Sequence, residues 1–400
     1  MSAPNPQGAD VVVVGAGLSG LTTVYNMIDS RSVAKIRNVY VIEASSKVGG
    51  RLRSTQTCGS RPASSSFGRS RAATIANNTP KVDLGGTWSW STDKALRKLA
   101  RDLDIDTLEQ PWQGKVCGSS GAQREAKFGE SPAGPGAVRF LDGGAAQIPS
   151  RLVTEIEELR AGNKVKWVMN ASVDSIKRVD GDILRVTLST GDSVDVLCVV
   201  LTCPPLAMSK IEMRPPLPPN RLHAMRTCQT WMGDVLKFAV VFEEKFWESA
   251  GLSGYGNSRD VTTWDASDCQ TFAIAGFAKP AGKDETEEEV EERLKSALCG
   301  MFGSKAEAGV YEWADWSREN INAVRAEEEA GEQLHLEYGH QLLRAQHMDR
   351  IVFAGTETEA ENGHMEGALL SGKRAANEAH AILMRVQMKN MDAQGNVYRK

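Results

Sequence analysis

Six residues near the start of the chain have the types and spacing to hold a phosphate. Val11 to Val14 run straight into Gly15-Ala16-Gly17-Leu18-Ser19-Gly20, and a helix-like stretch from Leu21 to Ile28 comes next. Gly15 makes the tight turn, Gly17 lets backbone approach a pyrophosphate, and Gly20 lets helix and strand pack closely. The pyrophosphate then rests on unpaired N–H groups at the positive end of the helix. Glu43 stands 23 positions after Gly20, at the end of a second apolar run from Val39 to Ile42. An acidic side chain there accepts hydrogen bonds from a ribose. These residues predict a dinucleotide site on one β-α-β unit.

Two further glycine segments separate flavin from nicotinamide. Glu43 leads into Ala44-Ser45-Ser46-Lys47-Val48-Gly49-Gly50-Arg51, and later comes Asp83-Leu84-Gly85-Gly86-Thr87-Trp88. Together they resemble the FAD-binding pattern of the flavin-containing amine oxidase family, which includes monoamine and polyamine oxidases. The resemblance resumes at Ser172-Val173, at Val199 to Pro205, at Asp234-Val235-Leu236-Lys237 with FAVVFEEKFW after it, and at Arg350 to Ala376. It implies FAD as cofactor, held first by Gly15, Gly17, Gly20, Glu43 and Ala44. Arg51, after Gly50, is implied on the phosphates, a bidentate contact that lysine would not reproduce. Gly85, Gly86 and Thr87 are implied close to the flavin ring, and Val173 at the adenine through its backbone. Gly355 and Thr356 let the phosphate-ribityl arm pass. Met365 begins a helix whose N-terminus faces the pyrimidine edge, where positive partial charge favours the reduced flavin.

The resemblance also implies the chemistry. Lys237 matches the lysine that holds a water near flavin N5 and assists reoxidation by oxygen. Trp316 matches a tryptophan packed beside the flavin. The expected reaction is oxidation of an amine to an imine by hydride transfer to N5, with oxygen reduced to hydrogen peroxide. Three departures qualify it. The cysteine that attaches FAD covalently in monoamine oxidases is matched, by spacing from Trp316, by Arg325, so non-covalent FAD is expected. The two tyrosines lining the amine's path are matched by Ala326 and His364. His364 is thus a candidate base or substrate partner, or else satisfies a cofactor or backbone contact. Only 56 residues separate Gly86 from Gly143, where relatives carry a longer helical subdomain over the substrate cavity.

The elements that must position these groups are legible in outline. Ser91 is read as the cap of a helix carrying Leu96, Leu99, Ala100 and Leu103, and Ser150 as the cap of another. Residues 113–137 read as a loop, and 164–203 as successive strands. Thr286 with Glu289 forms a capping box, and Glu289–Arg293 and Glu291–Lys295 are expected i,i+4 pairs. The fold class expected is α/β: a discontinuous Rossmann-like FAD-binding domain (1–90, 138–205 and 345–390) with a mostly parallel sheet. A smaller substrate domain built on an antiparallel sheet takes 91–137 and 206–344. Residues 58–81 read as a flexible insertion and 391–400 as a tail.

Composition bounds the rest. With 47 basic and 51 acidic residues the net charge is −4, which favours neither nucleic acid nor an anionic membrane. The opening MSAPNPQGAD has no signal-peptide pattern, and no apolar run is long enough to span a bilayer. Seven cysteines without CxxC spacing argue for reduced thiols, a cytoplasmic setting and no metal site. The expected partners are a small-molecule amine and oxygen, and a homo-oligomer or a covering partner is left open. Two other functions stay open: a flavin desaturase or cyclising enzyme on the same scaffold, and an FAD-stabilised binding protein with vestigial chemistry.

Overall fold

A computed structural model describes residues 9–28, 36, 38–55, 67–69, 81–118, 121–159, 164–318, 338–360 and 363–397. Strand β1 (Ala9–Val14) and helix α1 (Leu18–Ile28) flank the glycine turn, and strand β2 (Asn38–Ile42) comes after them. Val11, Val12 and Val13 are fully buried, as an apolar run in the middle of a sheet requires. By compactness the described residues of 1–50, 148–230 and 324–400 form one unit, and those of 51–147 and 231–323 another.

The first unit is built on an eight-stranded sheet in which β1 pairs in parallel with β2 and with Ser193–Leu201. The latter strand also pairs in parallel with Ile351–Phe353. Val14, Leu201 and Phe353 therefore lie in register at the carboxyl edge of the sheet. Two antiparallel pairings, through Ile183–Leu188, extend it on one side. Two strands paired in parallel, each reached by a crossover, and a glycine turn between β1 and α1 make this unit Rossmann-like.

The second unit carries a mostly antiparallel eight-stranded sheet. Its strand Leu236–Phe242 is buried at every position, flanked by Phe272–Ala278 and Val310–Asp315. A small sheet of Trp88–Ser89, Val138–Phe140 and Thr107–Glu109 belongs to the same unit. The chain is an α/β protein, with one Rossmann-like and one antiparallel-sheet unit.

Several local expectations change. The helix expected after Ser91 runs Lys94–Asp102 with Asp93 at its N-cap, and Asp93 Oδ2 takes the N–H of Trp90 at 2.9 Å. Ser150 lies inside a helix spanning Gln147–Leu159, because Pro149 is compatible with a first turn whose N–H groups are unpaired anyway. Residues 113–137 contain two short strands, Lys115–Gly118 and Gln123–Glu125. The capping box of Thr286 and Glu289 is present, and Lys295 pairs with Glu291 at 2.7 Å. Arg293 instead pairs with Glu285 at 2.8 Å, since Glu289 is committed to the cap. Of residues 58–81, Phe67–Arg69 form a strand against Val310–Asp315, Lys81 is exposed, and the rest lie outside the described residues.

Candidate active site

In the first unit the glycine turn is tied down from two sides. Gly15 N donates to Ile42 O at 2.8 Å, and Thr202 Oγ1 donates to Val14 O at 2.8 Å. A Cβ on Gly20 would stand 1.9 Å from Gly15 O, so only glycine lets the helix start this close to its strand. A Cβ on Gly17 would meet nothing nearer than Gly50 Cα at 3.9 Å, so space is open over that backbone. Glu43 is buried at the end of β2. Its Oε2 accepts from Ala16 N at 2.7 Å and its Oε1 from Ser45 N at 2.9 Å. Ser45 Oγ also donates to Oε1, at 2.8 Å, so the carboxylate orders the turn and, of its about four acceptor sites, keeps one for a hydroxyl. Ala44 beside it is exposed.

The other sequence-derived residues of this unit lie on the parallel sheet and its connections. Val173 is buried at the start of Val173–Asp180. Gly355 comes after Ile351–Phe353 with φ +113°, and its N–H donates to Ser371 Oγ at 3.1 Å. Thr356 Oγ1 donates to His364 O at 2.7 Å, which fixes the turn before the helix beginning at buried Met365. His364 itself is half-buried. Buried Glu357, which sequence reasoning passed over, accepts from Thr230 Oγ1.

In the second unit the chemistry-bearing residues converge on one lysine. Lys237, 1% exposed, donates from Nζ to Gly85 O at 2.6 Å and to Thr87 Oγ1. The rings of Trp264, Phe277 and Trp88 stand 5.4, 5.7 and 5.9 Å from the ammonium. Such faces compensate part of the cost of burying a cation. The Gly85-Gly86 backbone is clamped against Arg51: Gly86 N donates to Arg51 O at 3.0 Å, and a Cβ on Gly85 would lie 2.0 Å from that oxygen. Buried Trp316 donates from Nε1 to Leu84 O at 2.7 Å. The structure therefore brings Arg51, Gly85, Gly86, Thr87, Lys237 and Trp316 together. Arg51 Nη1 also donates to Trp231 O at 3.4 Å. Arg325 and Ala326 lie outside the described residues.

Burial sets the electrostatics. It pushes Lys237 down to about 8, against the pull of Asp83, and pushes Asp83 up to about 6, against the pull of Lys237. Asp83, Arg139, Trp264 and Phe277 were not singled out from sequence. Asp83 belongs to the segment with Gly85 and Gly86, which is the one signal that could have found it. Among the described residues, no group of three His, Cys, Asp or Glu could hold a metal, and no helix is long and apolar enough to cross a membrane.

Residues 128–380 match the sequence profile described as flavin containing amine oxidoreductase. The chain belongs to the flavin-containing amine oxidoreductase family. Residues 13–103 also match the NAD(P)-binding Rossmann-like domain. A flavin-containing amine oxidase of Danio rerio is 24% identical over 92% of this chain and 85% of its own. An L-amino acid dehydrogenase of Synechocystis is 30% identical over 65% of this chain and 54% of its own. Cyclohexylamine oxidase from Brevibacterium oxydans shares the fold, with TM-score 0.72 and 18% identity over 95% of this chain and all of that one.

This amine oxidoreductase is an FAD-dependent enzyme. Its residues fit that cofactor. The N–H groups of the first turn of α1 have no intrahelical partners, and no side chain at Gly17 covers that backbone, where even a Cβ would meet nothing nearer than Gly50 Cα at 3.9 Å. Glu43 retains acceptor capacity for a ribose. The Gly85-Gly86 backbone beside Lys237 carries no side chain that would collide with a ring.

Proposed function

We propose that this enzyme oxidises a primary or secondary amine to an imine. The chemistry FAD supplies when bound is acceptance of a hydride at N5 and return of the electrons to oxygen as hydrogen peroxide. Gly15, Gly17, Gly20, Glu43, Ala44, Gly50, Arg51, Val173, Gly355, Thr356 and Met365 are assigned to holding the cofactor, and Gly85, Gly86 and Thr87 to the ring. Lys237 holds a water with its third N–H donor, Trp316 braces the Leu84 backbone, and His364 borders the amine.

The observation that carries this reading is the Lys237 ammonium. It is buried among three aromatic rings and bonded to the Gly85 and Thr87 groups of the flavin segment. A structural lysine has no need of so costly a place. A second reading draws on the relative named L-amino acid dehydrogenase: an amino acid as the amine, and an acceptor other than oxygen.

Anaerobic mixing with a panel of amines and amino acids, monitored by flavin absorbance, tests both. Bleaching by an amine, with colour restored and peroxide formed on admitting air, is the expected result. Bleaching only by amino acids, with no peroxide in air, selects the second reading. If dithionite bleaches the flavin and nothing in the panel does, the amine-oxidising reading fails.

A further inference from the structure

Ser371, on the helix Met365–Val397, is a fully buried polar residue to which the reaction above gives no task. Three groups surround its hydroxyl. Ser371 Oγ donates to Ala368 O at 2.8 Å, one turn back on its own helix. Gly355 N donates to Ser371 Oγ at 3.1 Å, and Ser19 Oγ lies 2.9 Å from it. A serine hydroxyl has one proton and two lone pairs. The Ser371 proton goes to Ala368, whose carbonyl can only accept, so Ser19 is the donor in the contact between the two serines. Both lone pairs of Ser371 are then filled, one of them by a residue 352 positions away.

The two segments joined at this hydroxyl are both assigned above to the cofactor. Ser19 stands in the first turn of α1, between Gly17 and Gly20, and Gly355 opens the turn after Ile351–Phe353. Gly355 holds φ +113°, and its carbonyl accepts from Thr358 Oγ1 at 2.7 Å. With its N–H on Ser371, this peptide is pinned at both polar groups. Contact between the two helices does not depend on the hydroxyl. A Cβ on Gly372 would stand 2.6 Å from Ser19 O and 2.8 Å from Thr22 Cβ, so the helices already touch at the next residue. Gly372 thus sets how closely they approach, which leaves Ser371 to set how the two turns stand to one another. We propose that Ser371 is a positioning residue for FAD, and that its hydroxyl holds the α1 turn and the Gly355 turn in the one placement where both meet the same cofactor. Because Ser19 gives its only proton to Ser371, the phosphates are met on this turn by backbone N–H groups and not by the Ser19 hydroxyl. The proposal rests on the assignment of Gly17 and Gly355 to FAD given above.

The test is equilibrium dialysis of the holoenzyme, with retained flavin read by absorbance and the fold by circular dichroism. At a temperature where every variant stays fully folded, global stability does not enter the Kd for FAD. Ser371→Ala leaves the buried Gly355 N–H and Ser19 O–H without their acceptor, so Kd should rise about ten- to a hundredfold. Ser371→Cys, whose thiol is a weaker acceptor, should fall between Ser371→Ala and wild type. Ser19→Ala alone should raise Kd less than Ser371→Ala, and added to Ser371→Ala it should raise it no further. Should Ser371→Ala not fold, Ser371→Cys against wild type decides by the same criterion. An unchanged Kd in Ser371→Ala, while Gly17→Ala loses flavin, overturns the proposal and leaves the assignment of Gly17 standing. Unchanged retention in both variants overturns that assignment and the proposal with it. A full further loss from Ser19→Ala in the Ser371→Ala background would show Ser19 reaching the cofactor independently, and would overturn the commitment of its proton to Ser371.

Discussion

Of the single side chains, Lys237 decides most. An ammonium in a water-poor site is expensive unless each of its donors is met. Here two hydrogen bonds and three ring faces meet that cost. Lys237→Met removes the charge with little change in volume, so FAD should stay bound while reoxidation slows. Loss of one charge-assisted interaction of this kind is worth about 2 to 4 kcal/mol, or roughly 30- to 1000-fold in rate. His364→Ala should instead impair reduction by the amine and leave reoxidation of chemically reduced enzyme near wild type. Stopped-flow absorbance times the two half-reactions separately; wild-type rates for both variants in both halves would end the assignment. Burial also dictates a pH dependence of stability. Lys237 is pushed down to about 8, so between there and the ordinary lysine range the unfolded chain binds a proton that the folded one has shed. Its contribution to stability therefore rises as pH climbs through that window. Asp83, pushed up to about 6, contributes most below the ordinary carboxylate range, and its contribution falls as pH rises to about 6. Wild type should gain melting temperature relative to Lys237→Met between pH 8 and 10; a flat difference across that range would contradict the burial argument.

Among the elements, the turn between β1 and α1 separates folding from binding. A Cβ at position 20 would stand 1.9 Å from Gly15 O, a backbone atom that cannot swing away. Gly20→Ala should destabilise the apoprotein by at least about 1 to 3 kcal/mol, the usual cost of overpacking. At position 17 the new methyl meets only Gly50 Cα, at 3.9 Å. Gly17→Ala should leave the melting temperature of the FAD-stripped protein unchanged while the purified protein carries less FAD. Equal losses of apoprotein stability in both would show that Gly17 serves packing alone. This turn was legible in the sequence because its constraints are local: each glycine answers to a neighbour in the same β-α-β unit. The capping box of Thr286 and Glu289 was legible for the same reason. The start of the helix at Gln147 was not, because Ser150 offered a cap as good as any, and tertiary packing chose another start. Asp83, Arg139 and Trp264, which line one cavity, were hidden for a stronger reason. They sit on separate elements that meet only when the antiparallel-sheet unit is assembled, and no periodicity records that meeting.

Taken whole, the molecule does the family's work with less chain. Its alignment with the Danio rerio amine oxidase runs over 483 positions although only 92% of these 400 residues enter it, so the relative carries residues that this chain lacks. Between Gly86 and Gly143 the described residues form one helix, Lys94–Asp102, and short strands. A shorter chain makes the mode of cofactor retention matter more. The resemblance to monoamine oxidases matches Arg325, by spacing, to their attaching cysteine, and an arginine cannot form a thioether, so FAD should be held by contacts alone. The purified protein should be yellow, and acid precipitation should release all the colour into the supernatant. Mass action then ties stability to free FAD. A ligand that binds only the folded state adds about 2.7 kcal/mol when present at 100 times its Kd. The melting temperature should therefore climb with added FAD and keep climbing after the site is full, because unfolding must release the cofactor against its own concentration. A covalent flavin would behave otherwise: colour would stay in the pellet, and added FAD would leave the melting temperature where it was. Either result would show that a residue other than Arg325 forms the bond.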